Sequence, residues 1–492
     1  MARQLTTKAQ VNGYRFLLSR LEHALVRRDA RMLHDPMRSQ MRALALGVVL
    51  ALLALAGFGI WGLVKPQGAV GNLSILVSKN SGGLYVLLNG TLHPVLNLSS
   101  ARLISGDHAS PTSVSDAKLS KYPRGPLLGI PGAPAALPGS AHQGTSVWTV
   151  CDQLDAGSVR LAVIGDRPVL DDRIGSAADD DAVLVTDGVS TFLLYTVPRG
   201  DARTPVRAEV DISDVAVVRA FGLEDLVPRS VSTGLLNTVP EVDALRVPEI
   251  DKAGAPGAIS ASGVRVGSVV RTVGIDGTAS YYVVLADAVQ PVGAATAEML
   301  RLADATGSAE VITLAPAAIN AAPRTTTALP VAQFPSRPPH LVNAASDPTL
   351  CSVFSRERGD PTSVTTMLVG RGLPIDSSAR PVDLISADGA GAGVDQVYLR
   401  PGSGEYLRVT GNEPDSTRAE SLFYLSDLGV RFGIPDIATG SVLGLGDKPA
   451  PAPWSIVSLL TAGPTLSRHN ALVAHDAISP DAAGAQIAVP QN

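Results

Sequence analysis

Residues Ala43–Val64 read ALALGVVLALLALAGFGIWGLV, twenty-two consecutive positions without a charged or polar side chain. As a helix rising 1.5 Å per residue the stretch measures about 33 Å, enough to cross a hydrocarbon layer of ~30 Å. Trp61 sits near its far end and Lys65-Pro66 close it, the pattern of an interfacial anchor followed by a stop. A cleaved export signal would have an apolar region of about 7–15 residues behind a short basic start. Here the apolar run is longer and 42 residues precede it. A helix of a soluble core would ordinarily interrupt such a run with a polar residue. The stretch therefore predicts one transmembrane helix over 43–64.

Charge is distributed unevenly about this helix. Residues 1–42 hold nine basic side chains (Arg3, Lys8, Arg15, Arg20, Arg27, Arg28, Arg31, Arg38 and Arg42) against Glu22, Asp29 and Asp35, a net +6. The whole chain carries −5, so the other 450 residues carry −11. Basic flanks stay in the cytoplasm. The expected topology is a cytoplasmic N-terminus, a single inner-membrane span and an exported body over 65–492. Ala43, Gly47 and Ala51 follow a small-xxx-small spacing that lets helix backbones approach closely, a candidate helix-packing line. Ahead of the span, Tyr14, Leu17, Leu18, Leu21 and Leu25 fall on one stripe of an amphipathic helix over Gly13–Leu33. Two readings of that stripe stand side by side: a helix lying on anionic membrane lipid, or docking onto a partner's cytoplasmic domain.

The exported body is rich in turn formers. The chain has 47 Gly and 36 Pro in 492 residues, or 17%, against a usual total of about 12%. Short strands between turns fit that composition better than a helical bundle does. Tyr85-Val-Leu-Leu-Asn-Gly-Thr-Leu-His-Pro-Val95 aligns without gaps to Tyr282-Val-Val-Leu-Ala-Asp-Ala-Val-Gln-Pro-Val292. Phe192–Val206 and Phe423–Phe432 are looser copies, and a short helix-like run follows each of the four (Ser99–Ser105, Asp214–Leu223, Thr296–Asp304, Thr439–Leu445). The copies start 107, 90 and 141 residues apart, which excludes a fixed-period solenoid.

Cys151 and Cys351 are the only cysteines. On the exported, oxidising side a disulfide between them would persist; the alternative is two free buried thiols. A bond would join the segments between copies one and two to those between three and four, defining a central β domain. The expected fold is thus α+β: a bitopic membrane protein whose β-rich exported body has four small strand–turn–strand–helix repeats around a central domain. The expected divisions are 1–42 (tail with amphipathic helix), 43–64 (span), 65–135 (first repeat), 136–190 (central, first part), 191–257 (second repeat), 258–340 (third repeat), 341–385 (central, second part), 386–465 (fourth repeat) and 466–492 (C-terminal segment and tail).

A search for chemistry yields no catalytic, cofactor or metal site. None of the seven lysines follows a glycine, which excludes a Walker loop. Asp388-Gly-Ala-Gly-Ala-Gly393 has the wrong spacing for a dinucleotide fingerprint and reads as a flexible loop. The eight histidines form no paired-ligand pattern, and His93, beside a strand and a proline, reads as a half-buried structural imidazole. Asp179, Asp180 and Asp181 read as an acidic surface turn, and no GxSxG elbow occurs. The basic tail adjoins a membrane, so topology and lipid account for it and nucleic acid is not an expected partner.

The string Gln10-Val-Asn-Gly-Tyr-Arg-Phe-Leu-Leu18, with Leu21-Glu-His-Ala-Leu-Val-Arg-Arg-Asp29 and Arg31-Met-Leu-His-Asp-Pro36, resembles the EccB family of type VII (ESX) secretion systems. The likeness continues through Leu92–Leu103, Arg124–Pro134, Trp148-Thr-Val-Cys151-Asp, Tyr281–Leu285, Gly429–Phe432 and Ala462–Arg468. The resemblance implies a periplasmic body of four repeats around a central disulfide-bonded domain. It also implies assembly with an EccC-type motor ATPase, EccD, EccE and a mycosin protease, and self-association through the periplasmic body. Proteins of this family are sometimes labelled ATPases, a label for which no phosphate-binding loop is found here. The leading expectation is a core structural subunit of the secretion complex. The alternatives are an ATP-hydrolysing enzyme with an unrecognised site and a module binding cell-envelope glycan.

Overall fold

The computed structural model describes residues 7–31, 36–64, 75–141, 144–200, 202–304, 311–357, 359–389, 391, 393–480 and 484–486, with backbone alone at 36–40, 59 and 61–64. It divides into two units, 1–71 and 72–492. The Trp61 side chain, Lys65-Pro66 and residues 481–483 and 487–492 of the expected C-terminal tail lie outside the described residues.

The first unit is two helices. Lys8–Arg27 starts on a capping box in which the Thr7 amide donates to Gln10 Oε1 at 2.9 Å, and it ends where Arg28 turns left-handed at φ 54°. The second helix, Pro36–Val64, begins seven residues before Ala43. Pro36 suits the first helical position, and the Met, Arg and Gln residues that follow are good helix formers, so the apolar boundary is no helix boundary. Within it Met41–Phe58 has a mean hydropathy of 2.2 and no residue buried by its own chain.

The second unit is built from a central sheet and outer sheets. The central one orders seven strands: Val382–Asp383, Gln396–Tyr398, Ser158–Ile164, Thr145–Asp155, Thr349–Glu357, Val364–Gly370 and Ile174–Ser176. In Thr145–Asp155 side chains alternate between faces. Trp148 and Val150 enter one core, shared with Leu194 and Leu235 on one side and Leu407 and Ile456 on the other. Val147 and Cys151 enter a second core with Ile174 and Leu368. Both faces are covered, which is why this strand reads as a nearly continuous apolar run.

Four outer sheets share one plan. Each has a three-stranded antiparallel meander, a helix, then a return strand lying parallel to the first meander strand. The meanders are Ile75–Ser78/Leu84–Leu88/Thr91–Pro94, Asp181–Thr186/Thr191–Arg199/Ala202–Val210, Val269–Val273/Ala279–Val284/Val289–Val292 and Gly404–Thr410/Leu422–Ser426/Val430–Ile434. Their helices are Leu98–Ser105, Val215–Phe221, Ala294–Ala303 and Ile437–Leu443. Local chemistry sets three of these helices. Asn97, Asp214 and Asp436 accept amide hydrogen bonds as N-caps, and Gly106, Gly222 and Gly444 close the far ends left-handed.

The gap-free sequence match is reproduced in register: Tyr85 pairs with Pro94 as Tyr282 does with Pro291, and Leu92 bridges Arg124 as Val289 bridges Arg324. Two stretches join sheets other than those their surroundings suggest. Asp181–Thr186, inside 136–190, is the first strand of the second outer sheet, and Gln396–Tyr398, inside 386–465, belongs to the central sheet. Gln396–Tyr398 pairs with Ser158–Ile164, far away in sequence, whereas Asp181–Thr186 forms a hairpin with Thr191–Arg199 across the expected division at 190.

The outer sheets associate in pairs. The second and third share a core in which Phe221 meets Phe334 edge-on at 6.4 Å, and the first and fourth share one holding Leu103, Ile104, Phe432 and Leu443. In the latter pair Arg102 Nη1 donates to the Leu443 carbonyl at 2.6 Å. In connectivity the second half of the body thus repeats the first, outer sheet to central strands to outer sheet.

One central hairpin is strained. Asp155-Ala156-Gly157-Ser158 places Ala156 at φ 48° and Gly157 at φ 90°, a turn that ordinarily takes Asn, Asp or Gly first. Ala156→Gly is expected to raise stability by about 1 kcal/mol, read as a higher urea midpoint with an unchanged slope.

Candidate functional site

The candidate sites are surfaces and a clasp. On the helix Lys8–Arg27 the stripe of Tyr14, Leu17, Leu18, Leu21 and Leu25 is open, with exposures from 47% at Leu18 to 75% at Leu25. Val11 extends it by one turn, and Arg20 Nε reaches the Ala30 carbonyl at 3.3 Å. Ala43, Gly47 and Ala51 follow one another along the second helix, and a Cβ added at Gly47 would meet nothing within 4 Å. Neither surface is used by its own unit.

The cysteines are brought together. Cys151 and Cys351 face each other across adjacent central strands, with Cα atoms 4.1 Å apart and sulfurs at 2.07 Å, a disulfide distance. Both are almost wholly buried. The loop they subtend contains the second and third outer sheets entire, while the first and fourth lie outside it.

One residue along, on the opposite face, Asp152 anchors the second outer sheet. Its carboxylate accepts from the Ser232 amide at 2.6 Å and the Ser232 hydroxyl at 2.8 Å. Buried Arg229 donates to the carbonyls of Asp347 (2.8 Å), Asp152 (3.2 Å) and Pro348. The sequence gives no local sign of this network, because Arg229 and Ser232 sit in an ordinary loop-like stretch. Burial pushes the Asp152 carboxyl up to about 6, against the Ser232 hydrogen bonds and the Arg229 charge. Glu405, on the first strand of the fourth outer sheet, is likewise raised by burial to about 7, although Ser140 and the Ala141 amide hydrogen-bond it.

These two groups set a pH dependence. Both pKa values exceed those of the unfolded chain, so the folded body binds extra protons. The stability they contribute is complete below about pH 4 and is lost as pH rises through 6 and then 7. Each is expected to contribute on the order of 2 kcal/mol over that window. Urea unfolding should show a higher midpoint at about pH 5 than at about pH 8, and Glu405→Gln should flatten the upper part of the curve. A midpoint that rises with pH would contradict this.

The remaining sequence candidates resolve into structural roles. In the stretch Asp388–Gly393, whose residues 390 and 392 lie outside the described ones, Gly389 donates to Asp395 at 2.9 Å and Gly393 to Asp388 at 3.3 Å. A loop so arranged presents negative charge where a phosphate would need donors. Asp179, Asp180 and Asp181 stand 3.5, 3.6 and 2.7 Å from Arg203, Arg337 and His340. His93 Nδ1 lies 3.1 Å from the Pro126 carbonyl, and its ring fills the space where a Cβ at residue 125 would stand, so a side chain in place of Gly125 would displace the imidazole. Among the described residues no three His, Cys, Asp or Glu side chains converge as metal ligands.

Comparison with known proteins places these features in context. A family model described as "Type VII secretion system ESX-1, transport TM domain B" matches residues 3–480. The chain is 39% identical over 488 residues to the ESX-3 secretion system ATPase EccB3 of Mycolicibacterium smegmatis, covering 97% of this chain and 92% of that protein. It is also 39% identical over 487 residues to the ESX-1 secretion system ATPase EccB1 of Mycobacterium tuberculosis, covering 98% and 97%. Among solved structures, a chain of an intact ESX-5 inner membrane complex superposes with a TM-score of 0.75 at 31% identity, covering 99% of both chains. An EccB3 dimer from the ESX-3 core complex gives 0.71 at 38% identity, covering 82% of this chain and 100% of that one.

Proposed function

The chain belongs to the EccB family of type VII secretion subunits, and from that membership we propose that it anchors and assembles the periplasmic part of an ESX machine for protein export. It is a core structural subunit of an inner-membrane complex, with one membrane helix and a periplasmic body. The observation that carries the finer reading is the pair of unused surfaces in the first unit, the apolar stripe from Tyr14 to Leu25 and the bare helix Met41–Phe58. A stripe that its own unit leaves open is a surface for something else. The +6 tail supports a cytoplasmic N-terminus. The stripe then contacts partner subunits of the EccC, EccD, EccE and mycosin kind or the lipid surface, Ala43, Gly47 and Ala51 line a helix–helix contact, and the paired outer sheets supply the faces for self-association. The reading of the body as four repeats around a central domain clasped by Cys151–Cys351 is supported by the shared plan of the outer sheets.

Mild detergent extraction followed by mass measurement tests the assignment. The expected species contains several copies of this chain with other membrane subunits, and Leu17→Glu/Leu21→Glu should release the partners while leaving the body folded. Recovery of the wild-type chain solely as a free monomer would sink it. The word ATPase in the relatives' names motivates a second reading, ATP hydrolysis by the body. The carboxylate-occupied glycine loop argues against it, and a phosphate-release assay on the purified full chain decides it.

A further inference from the structure

The body contains a cleft of about 270 Å³ beside the fourth outer sheet, where the return strand Ala450–Pro453 covers Leu407–Thr410 and leaves Gly404–Tyr406 uncovered. Its walls include Pro138, Leu445, Pro449 and Pro451. Lining it is Glu405, only 8% exposed, whose Oε1 accepts from the Ser140 hydroxyl at 2.6 Å and which also accepts from the Ala141 amide. A carboxylate has about four acceptor positions, so capacity remains for further donors. Tyr406, also in the wall and 7% exposed, turns its ring to the core shared with the first outer sheet, where its hydroxyl stands against Gly440 with no hydrogen-bond partner among the described residues.

Among the described residues, the other charges near Glu405 do not neutralise it. Asp166 adds negative potential and is itself matched by Arg400 at 3.4 Å. Lys448 lies on the exposed rim, and among the described residues no cation forms an ion pair with Glu405.

The fold builds a comparable cleft in the second outer sheet, of about 500 Å³, between the return-strand loop Asp225–Ser230 and the segment Leu341–Ala344 that leads to a central strand. The registers Tyr406–Tyr424 and Leu184–Leu193 correspond, so Val183 and Leu184 occupy the places of Glu405 and Tyr406. The architecture therefore stands with aliphatic residues at these positions, and a buried carboxylate is no requirement of the fold. At Glu405 the fold instead buries an ionisable group whose charge is met, among the described residues, only by the Ser140 and Ala141 hydrogen bonds, which leaves acceptor capacity for a cationic ligand.

We propose that the fourth-sheet cleft is a binding site for a basic side chain, lysine or arginine, supplied by a partner polypeptide. Pro138, Leu445, Pro449 and Pro451 take the methylene stem and Glu405 takes the cationic head, the division that long basic side chains favour. The volume admits one such side chain and no folded element. The binding-competent form is the ionised carboxylate, so affinity falls as pH drops and Glu405 takes up its proton. The proposal goes beyond the role in secretion and does not depend on it.

The full chain in detergent is titrated with Nα-acetyl-lysine amide, Nα-acetyl-arginine amide and the neutral Nα-acetyl-norleucine amide, followed by saturation-transfer NMR. The two basic probes are expected to bind saturably, at least about tenfold more tightly than norleucine amide. They should weaken by about tenfold in Glu405→Gln, and weaken between about pH 8 and about pH 5.5 in the wild type. Thermal unfolding of Glu405→Gln verifies that the variant is folded. Equal binding to wild type and Glu405→Gln, equal binding of the neutral probe, or no binding at any pH would overturn the proposal. So would binding that emerges only in Lys448→Met, which would make the chain's own lysine the occupant.

Discussion

Replacing Cys151 and Cys351 together with alanine is expected to cost the periplasmic body about 5 kcal/mol, an upper value from chain entropy. The physical basis is the 200-residue separation of the two cysteines, which makes the closed loop long enough to restrict the unfolded chain strongly. A loss of this size is comparable to the whole stability of many domains. The second and third outer sheets lie inside the loop, so their shared core should lose protection from hydrogen exchange first, with the first and fourth sheets less affected. Because both sulfurs are buried, reductant added to the folded protein should act slowly, and the same reductant added in denaturant should block refolding. A double variant with an unshifted melting temperature would show that the clasp contributes nothing.

Arg229→Ala is expected to have the next largest effect, about 3–5 kcal/mol of destabilisation. The guanidinium is buried and satisfies the carbonyls of Asp347, Asp152 and Pro348 while lying near the Asp152 carboxylate. Truncation removes a donor from all three carbonyls, of which that of Pro348 keeps the Leu154 amide, and it leaves the buried Asp152 carboxylate with its Ser232 hydrogen bonds but no cation among the described residues. The Asp152 carboxyl should then rise further, so the loss should be smaller at about pH 5 than at about pH 8. Arg229→Met, which keeps the packing volume, should fare little better than alanine, because the loss is one of polar satisfaction. Denaturant titrations of both variants at two pH values check this; equal losses at both would assign the effect to packing.

Different parts of the molecule were unequally legible in the sequence, for physical reasons. The membrane helix and the amphipathic stripe were legible because a helix displays its burial pattern within a few turns of its own sequence. The strand–turn–strand copies were legible in their own short windows, as were the four following helices, three of them marked by an Asn or Asp before and a Gly after. The copies Tyr85–Val95 and Tyr282–Val292 occupy equivalent registers, so their match was a true structural signal. The first strand and the return strand of each outer sheet went unread. Several are two to four residues long, as with Arg229–Ser230 and Ile312–Thr313, too short to show a period.

Composition, charge asymmetry and the run Ala43–Val64 by themselves determined that this chain crosses a membrane once and carries a strand-rich body beyond it. Those are local properties, set by transfer of side chains between water and lipid and by turn chemistry. Only the tertiary structure decided which outer sheets pair, that Cys151 and Cys351 meet face to face, and that Asp152 and Glu405 are buried charges with different neighbours. Each of those outcomes depends on segments tens to hundreds of residues apart. Sheet hydrogen bonds and shared cores bring them together, and no window of sequence contains both partners.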